Sequence, residues 1–487
     1  MVAPSEDYPT FPLLSKNEIN GQLIPEVSHW ALSNGLVMYP PNFKTSQGLL
    51  APTTLFPTPF PRKSFEQAIS VQTLYNELYA KVSQDKDHWL GNLIEKLGQF
   101  DPEFTGKLWN LYVKAEGSGI SQKLALGLFR SDYLLDAQSL EVKQVEFNTV
   151  SVSFGGLSTK VGKLHNFLNQ SGKYSLDDGR PFYTQEIPVS ESARLLPKGL
   201  WEATRKYQTS ASHTIVAFIV QQGERNVFDQ RILEYILLEE YGVKSVRMTI
   251  HEIHTKTKVD DQSKRLYYEP TGEEISVVYF RAGYSPQDFL SDQDWQNRLQ
   301  LETSYAIKAP NLLTQLAGAK KIQQILTDDS VLAKFLDDAA DRKKLSDSFV
   351  KIYPMDCSEQ GIEAKKMAFA TPQRFVLKPQ REGGGNNIYK DDIPTFLKSI
   401  PEEEWSGYIL MELINPEPTT QNIVIRGDVF SEEPILSELG TFGYVLFDDK
   451  EIHLNEYAGW LLRSKSSTSD EGGVAAGFGC VDGVVLY

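Results

Sequence analysis

The sequence predicts an α/β protein, an α+β mixture of helices and sheets in several lobes, on three observations. Its 487 residues are too many for one compact core and imply two to four lobes. Residues 214–283 alternate strand and helix, the order of a small parallel sheet with helices on its faces. From residue 373 onward, short runs of Val, Ile, Leu, Phe and Tyr recur between turn residues, a strand-rich pattern.

Residues 1–64 are rich in proline and polar residues. Residues 28–36 read as a short helix and 52–61, PTTLFPTPFP, as an extended arm laid across a surface, with disorder the alternative for the first ten residues. Ala68, Val71, Leu74, Leu78 and Val82 keep helical spacing, so 65–114 reads as helical scaffold, with a second helix over 87–97. LALGLFRSDYLLD at 124–136 reads as an apolar helical face leading to Arg130. VKQVEFNTVSVSFGGLS follows, with Glu146 and Asn148 two apart, a spacing that puts them on one face of a strand. A carboxylate and an amide oxygen are half a site for a hard cation such as Mg²⁺; a polar outer strand face explains the same pair. Phe154-Gly155-Gly156 then turns into a helix, with the Ser151 and Ser153 hydroxyls near its start.

Within 214–283, strands are expected at 214–220, 245–250, 265–268 and 275–281, and a helix at 226–241. The turn QQGERNVFDQ follows the first strand's carboxyl end, where open α/β sheets bind ligands, and no GxGxxG is present there. Arg281, at the end of the last strand, suits a substrate carboxylate or a neighbouring acid. Residues 292–326 read as helical; Lys320 and Lys321 are adjacent, so at most one faces a site. A charged helical connection fills 327–372.

The stretch RFVLKPQREGGGNNIY at 374–389 is the strongest single feature. A short apolar strand ends in Lys378 and Pro379, followed by Glu382 and the run Gly383, Gly384, Gly385. Without side chains, a backbone can approach an anion and aim N–H groups at it, while a lysine adds charge and Glu382 offers an oxygen to a metal. A flexible hairpin tip is the plain alternative, and no GxxxxGK[ST] loop occurs. A helix at 391–399 and strands at 407–414, 423–426, 435–439 and 442–447 follow, with Glu438 able to accept from a ribose hydroxyl. In LLRSKSSTSDEGGVAAG at 461–477, Arg463 and Lys465 share a strand face and a loop of small residues suits a lid.

A net charge of −15 argues against nucleic-acid or anionic-membrane partners, so any anion site must gather its own Lys and Arg. Two cysteines without a CxxC point to a reducing compartment; neither a secretory signal nor a membrane-spanning run is evident. Phosphate-binding lysines, metal oxygens, arginines and glycine-rich covers together are what an ATP-dependent ligase requires. Joining a carboxylate to an amine is uphill in water. ATP drives it through an acyl phosphate, which needs charge neutralisation and protection from hydrolysis.

KPQREGGGNN at 378–387, QVEFNTVSVSFGG at 144–156, ERNVFDQ at 224–230, QLAGAKKIQQ at 315–324, SELGTFG at 437–443 and the 461–477 motif make the chain similar to the eukaryotic glutathione synthetase family over nearly its whole length. The resemblance implies an ATP-grasp fold with permuted connectivity, an inserted α/β substrate domain and a glycine-rich lid. It also implies a cytoplasmic homodimer that joins γ-glutamylcysteine to glycine, with ATP as co-substrate and Mg²⁺ as cofactor. By the same resemblance, Glu146, Asn148 and Glu382 hold Mg²⁺. ATP is contacted by Glu146, Lys320, Lys378, Glu382, Lys465 and Glu471, with Gly383, Gly384, Gly385, Asn387 and Tyr389 over its phosphates, Met411 and Glu412 at the adenine and Glu438 at the ribose. Arg130, Ser151, Ser153, Glu224, Asn226, Gln230, Arg281, Tyr284 and Arg463 hold the peptide, with Val474 and Ala475 on the lid. The catalytic set is Arg130, Arg463, Gly383 and Gly384, the two arginines neutralising charge in the transition state.

Two positions depart from the family pattern: Leu413 stands where a lysine is expected and Glu471 where an aspartate is. The implied division is 1–213 main body, 214–321 substrate-binding α/β domain, 322–372 helical connection, 373–420 lid with the triple glycine, and 421–487 closing strands with the Ala/Gly-rich loop. A ligase with a different amine acceptor and a nucleotide-binding protein without catalysis are the rivals; the latter predicts loss of a metal carboxylate or phosphate lysine, and Glu146, Glu382, Lys320, Lys378 and Lys465 are all present.

Overall fold

The computed structural model describes residues 8–175, 179–381, 385–416, 420–469, 473–474 and 477–487. The expectations for Glu382, Gly383, Gly384, Glu471 and Ala475, and for most of the first ten residues, lie outside them. Among the described residues no helix is long and apolar enough to cross a membrane.

A mixed sheet of 13 strands forms the body and an antiparallel sheet of four forms a second lobe. The elements that build the site are, in chain order, β1 (Ala125–Leu135), β2 (Val142–Asn148), α1 (Gly155–Gln170), α2 (Val227–Tyr241), α3 (Lys320–Ile325), β3 (Phe375–Lys378), β4 (Ile409–Glu412), β5 (Val429–Phe447) and β6 (Ile452–Ser466). In the large sheet β1 lies between β5 and the Ile307–Ala309 strand, with β2 also paired to it, and β6 lies beyond β5.

The segment expected as a helix around Arg130 is the strand β1, buried along ten of its 11 residues. Burial on both faces removes the alternation that would mark a strand, leaving a continuous apolar run that also suits a helix. The expected unit over 214–283 forms as read: Ile215–Ile219, α2, Ser245–Met248, Leu266–Tyr268 and Glu273–Phe280, with Ile215–Ile219 parallel to both Ser245–Met248 and Glu273–Phe280. It is not a separate sheet. Ile307–Ala309, a three-residue strand inside the stretch expected as helix, runs parallel to Glu273–Phe280 and to β1 and joins the unit to the body. Strands expected at 435–439 and 442–447 are one, β5. Ile352–Pro354 is a further unexpected strand. The arm at 52–61 enters the body's sheet through Thr53–Thr54, which pairs with Thr420–Arg426 and Gly479–Asp482.

Register decides which side chains meet. β1 and β2 are antiparallel with Arg130 opposite Asn148 and Asp132 opposite Glu146; next, Tyr133 faces Gln144, so Val145 is an extra residue, a β-bulge. The bulge shifts the strand's phase. Gln144 is buried and donates to Ser131 on one face, while Glu146 and Asn148 turn to the face of Arg130 and Asp132.

The four-stranded sheet packs Phe375, Leu377 and Leu410 against Ala364, Ala368, Ile393 and Leu397 from its two helices, Glu359–Ala370 and Asp392–Ser399. Its other face carries Ile352, Val376, Ile409 and Met411, with half-buried Leu413 and Tyr389 beside them, next to α3 of the body.

Candidate active site

Four neighbouring strands of the large sheet carry a row of charge on one face. Arg130 on β1 makes a two-point ion pair with Asp132, Nε to Oδ1 2.6 Å and Nη2 to Oδ2 2.7 Å. The same Oδ2 accepts from Asn148 Nδ2 on β2 and from Arg463 Nη2 on β6, both at 3.1 Å. Arg463 also pairs with Glu438, opposite it on β5. Burial alone would weaken Arg463's hold on its proton, but Glu438 and Asp132 outweigh it and push its pKa above the ordinary value. Lys465, two residues on, shares this face. Gly440 sits opposite Asp132; a Cβ there would lie 2.8 Å from Asp132 Oδ1 and 3.1 Å from Arg130 Cδ, so glycine leaves the room in which this pair lies.

At the row's β2 end, Glu146 forms an ion pair with Lys320, the first residue of α3. Lys321 points elsewhere, to Asp356 at 3.2 Å, so one lysine of the two serves the site, as their adjacency requires. Burial would raise the Glu146 carboxyl, but Lys320, then Lys378 and Arg130, win and hold it down at about 2. Lys378 comes from the other lobe: at the end of β3 it donates from Nζ to the carbonyl of bulge residue Val145, 2.9 Å. It lies on the apolar face of the small sheet with Val376, Ile409 and Met411, so a flat apolar wall leads to a cationic end between the two sheets. Tyr389 shares that face, and Asn387 Nδ2 donates to its hydroxyl at 3.2 Å. Gly385 has φ +88°, a left-handed conformation suited to glycine. Glu412 is on the opposite, helix-covered face, where its carboxylate accepts from Tyr353 at 3.1 Å; it can offer the cleft only its backbone.

Beyond β2 the chain enters a second cluster. Ser151 and Phe154 have φ +54° and +72°, a strained conformation for side-chain-bearing residues. The turn is held by the buried carboxylate of Asp229 on α2, which accepts from the N–H groups of Phe154, Gly156 and Leu157 at 2.8, 2.7 and 3.0 Å. Arg281 donates to Ser153 Oγ at 2.6 Å and to the Val152 carbonyl, and Ser151 Oγ donates to the Arg281 carbonyl at 3.1 Å. Glu224 accepts from the Asn226 N–H at 2.7 Å and from Gln230 at 3.0 Å. Tyr284 accepts from Gln221 at 3.0 Å and lies near enough to Arg281 and Glu224 to feel their charge. Asn226 Oδ1 and Arg281 Nε are buried without a hydrogen-bond partner. Such atoms cost about 1–3 kcal/mol each unless a ligand or water completes them.

The structure therefore gathers Arg130, Glu146, Asn148, Lys320, Lys378, Glu438, Arg463 and Lys465 about one cleft, and Ser151, Ser153, Glu224, Asn226, Gln230, Arg281 and Tyr284 in the loops beyond β2. Val474, expected on the lid, is buried with the core of the body. Asp132, Asp229 and Gly440 were missed, although all three stand within or beside the motifs singled out from the sequence.

Comparison with known proteins supports this picture. The description of the eukaryotic glutathione synthase ATP-binding domain matches residues 17–486. The chain is 40% identical over 460 residues to the glutathione synthetase large chain of Schizosaccharomyces pombe, covering 89% of this chain and 91% of that one. It is 37% identical over 459 residues to the glutathione synthetase of Homo sapiens, covering 93% and 94%. A glutathione synthetase-like effector of Globodera pallida, solved in its apo form, shares the fold with a TM-score of 0.75 at 22% identity, over 99% of this chain and 100% of that one. With these matches, the mixed α/β fold and its charged cleft define an ATP-dependent ligase. The chain belongs to the eukaryotic glutathione synthase family.

Proposed function

We propose that the enzyme joins γ-glutamylcysteine to glycine through an acyl phosphate, releasing ADP and phosphate. The convergence of Arg130, Arg463, Lys320 and Lys378 from both sheets onto one cleft carries this reading. Lys378 and Lys320 hold the triphosphate, and the apolar face around Val376 and Met411 receives the adenine. Glu146 and Asn148 fit Mg²⁺: the carboxylate stays ionised to about pH 2, and Asn148 gives its N–H to Asp132, leaving the amide oxygen for a cation. Glu382 would complete that set. Bound there, Mg²⁺ would neutralise phosphate charge.

Arg281, Ser151, Ser153 and Asn226, with Glu224, Gln230 and Tyr284, hold the peptide, supported by the two unpartnered buried atoms. Arg130 and Arg463 lower the repulsion between its terminal carboxylate and the γ-phosphate, so that the carboxylate oxygen attacks phosphorus and ADP leaves. The glycine amine then attacks the acyl carbon, phosphate departs, and the amine's proton goes to solvent or phosphate. Gly383, Gly384, Glu471, Val474 and Ala475 belong to the loops that exclude water, Val474 as a buried anchor. We further assign an ATP-grasp architecture with the division given above, a reducing cytoplasmic setting in keeping with unpaired Cys357 and Cys480, and a homodimer of twice the 54.9 kDa chain, to be tested by sedimentation.

The deciding assay combines purified protein, ATP, Mg²⁺, γ-glutamylcysteine and glycine, with the tripeptide detected by mass. β-Alanine and serine in place of glycine test the acceptor. ADP release only with another amine would replace glycine, and no amine-dependent ADP release at all would sink the ligase reading.

A further inference from the structure

We infer that Asp132 is the positioning residue that fixes the two arginines as one unit, an inference that rests on the ligase reading above. Its carboxylate is fully buried, yet four donors from three strands converge on its two oxygens: Arg130 Nε and Nη2, Arg463 Nη2 and Asn148 Nδ2. Asp132 bridges two cations that would otherwise repel across a partly desolvated face. It leaves the outer N–H groups of each guanidinium for a ligand. The bidentate pair sets the plane of Arg130, and the shared Oδ2 sets how far Arg463 can stand from it. Glu438 holds Arg463 from the other side but makes no contact with Arg130, so it cannot fix their spacing.

Gly440 is the negative image of this arrangement. The Asp132–Arg130 pair lies over its missing side chain, where a Cβ would come within 2.8 Å of Asp132 Oδ1. A carboxylate placed merely to fill the sheet would not need a bare residue opposite it. Among the described residues Lys320 and Lys378 bond to Glu146 and to the Val145 carbonyl rather than to Asp132. Removing the carboxylate charge therefore separates the arginines' alignment from the two lysines, and Asn148 is the metal-side group it also touches, so nucleotide binding is compared without Mg²⁺.

Asp132→Asn preserves shape but presents an NH₂ to guanidinium donors. The expected result is a fall in kcat of about 100-fold, as for loss of one preorganised electrostatic contact. The Kd of ADP, measured by fluorescence without peptide or Mg²⁺, should stay within about threefold. Combined with Arg463→Ala, the loss should be no larger than that of Arg463→Ala alone, because residues acting as one unit are not additive. Gly440→Ala, which displaces the carboxylate without removing it, should lower kcat by about tenfold with the same unchanged nucleotide affinity. It keeps the test open if Asp132→Asn does not fold. A kcat within threefold of wild type for either folded variant, or losses that multiply in the double variant, overturns the inference. Failure of the wild-type protein to form tripeptide in the same assay would instead overturn the ligase reading.

Discussion

Two faces of one strand show how the same side chain can serve opposite ends. Arg463 and Ser464 are neighbours on β6 and point to opposite sides of the sheet. Arg463 meets Asp132 on the cleft face; Ser464 meets Asp482 on the other, Oγ to Oδ2 2.5 Å. Both aspartates are fully buried. Asp132 is surrounded by guanidinium groups, whereas Asp482 is bonded by the hydroxyls of Thr54, Thr58 and Ser464 and the N–H of Gly483, at 2.6, 2.7, 2.5 and 2.7 Å. Asp482 ties the N-terminal arm to the closing strand and carries no cation, so burial pushes its carboxyl up to about 6 despite those four donors. One face is built to hold charge for a reaction, and the other to fasten two chain ends.

The contrast is broken most sharply on the cleft face. Arg463→Ala should lower tripeptide formation by about 10³-fold with the unfolding temperature within a few degrees of wild type, measured by mass and calorimetry. On the other face Asp482→Ala should strip the Thr54 and Thr58 hydroxyls and the Gly483 N–H of their carboxylate partner and lose about 3 kcal/mol of stability in urea unfolding, while kcat of the folded enzyme changes by less than about twofold. An equal loss of kcat in both variants would erase the distinction.

The two faces should also answer oppositely to pH. Asp482 rises from an ordinary 3.8 to about 6, so its contribution to stability is full below 3.8 and is lost as pH climbs through 6. Glu146, lowered from 4.5 to about 2, contributes above 4.5 and loses that contribution as pH falls through 2. Unfolding temperatures of Asp482→Asn and Glu146→Gln across pH 3–8 should flatten these opposite slopes, the first between about pH 4 and 6 and the second below about pH 4.5. The smallest effect is expected on the small sheet, where Glu412→Gln should shift ADP affinity by less than about threefold because its carboxylate faces the helices, whereas Lys378→Ala should weaken it by about tenfold or more.

Much of the cleft was legible because it follows local rules. Period-two spacing put Glu146 with Asn148 and Arg463 with Lys465, adjacency allowed one of Lys320 and Lys321, and helix spacing marked the scaffold. What escaped depends on non-local register. β1 lacks alternation because both its faces are buried. Ile307–Ala309 is too short to stand out, yet it joins the α/β unit to the body. Asp132, Asp229 and Gly440 lie inside motifs that the sequence marks, but each acts through partners on other strands or loops, which local spacing does not reveal.

Val145 has an ordinary side chain and an outsized effect. As the surplus residue on β2, it reverses which way everything after it looks, sending an acid and an amide toward the cleft instead of into the core. Its carbonyl, displaced from the regular ladder, becomes the latch on which a lysine of the opposite lobe rests. Deleting that single position would therefore turn Glu146 and Asn148 inward and unhitch one lobe from the other, with no charged group removed.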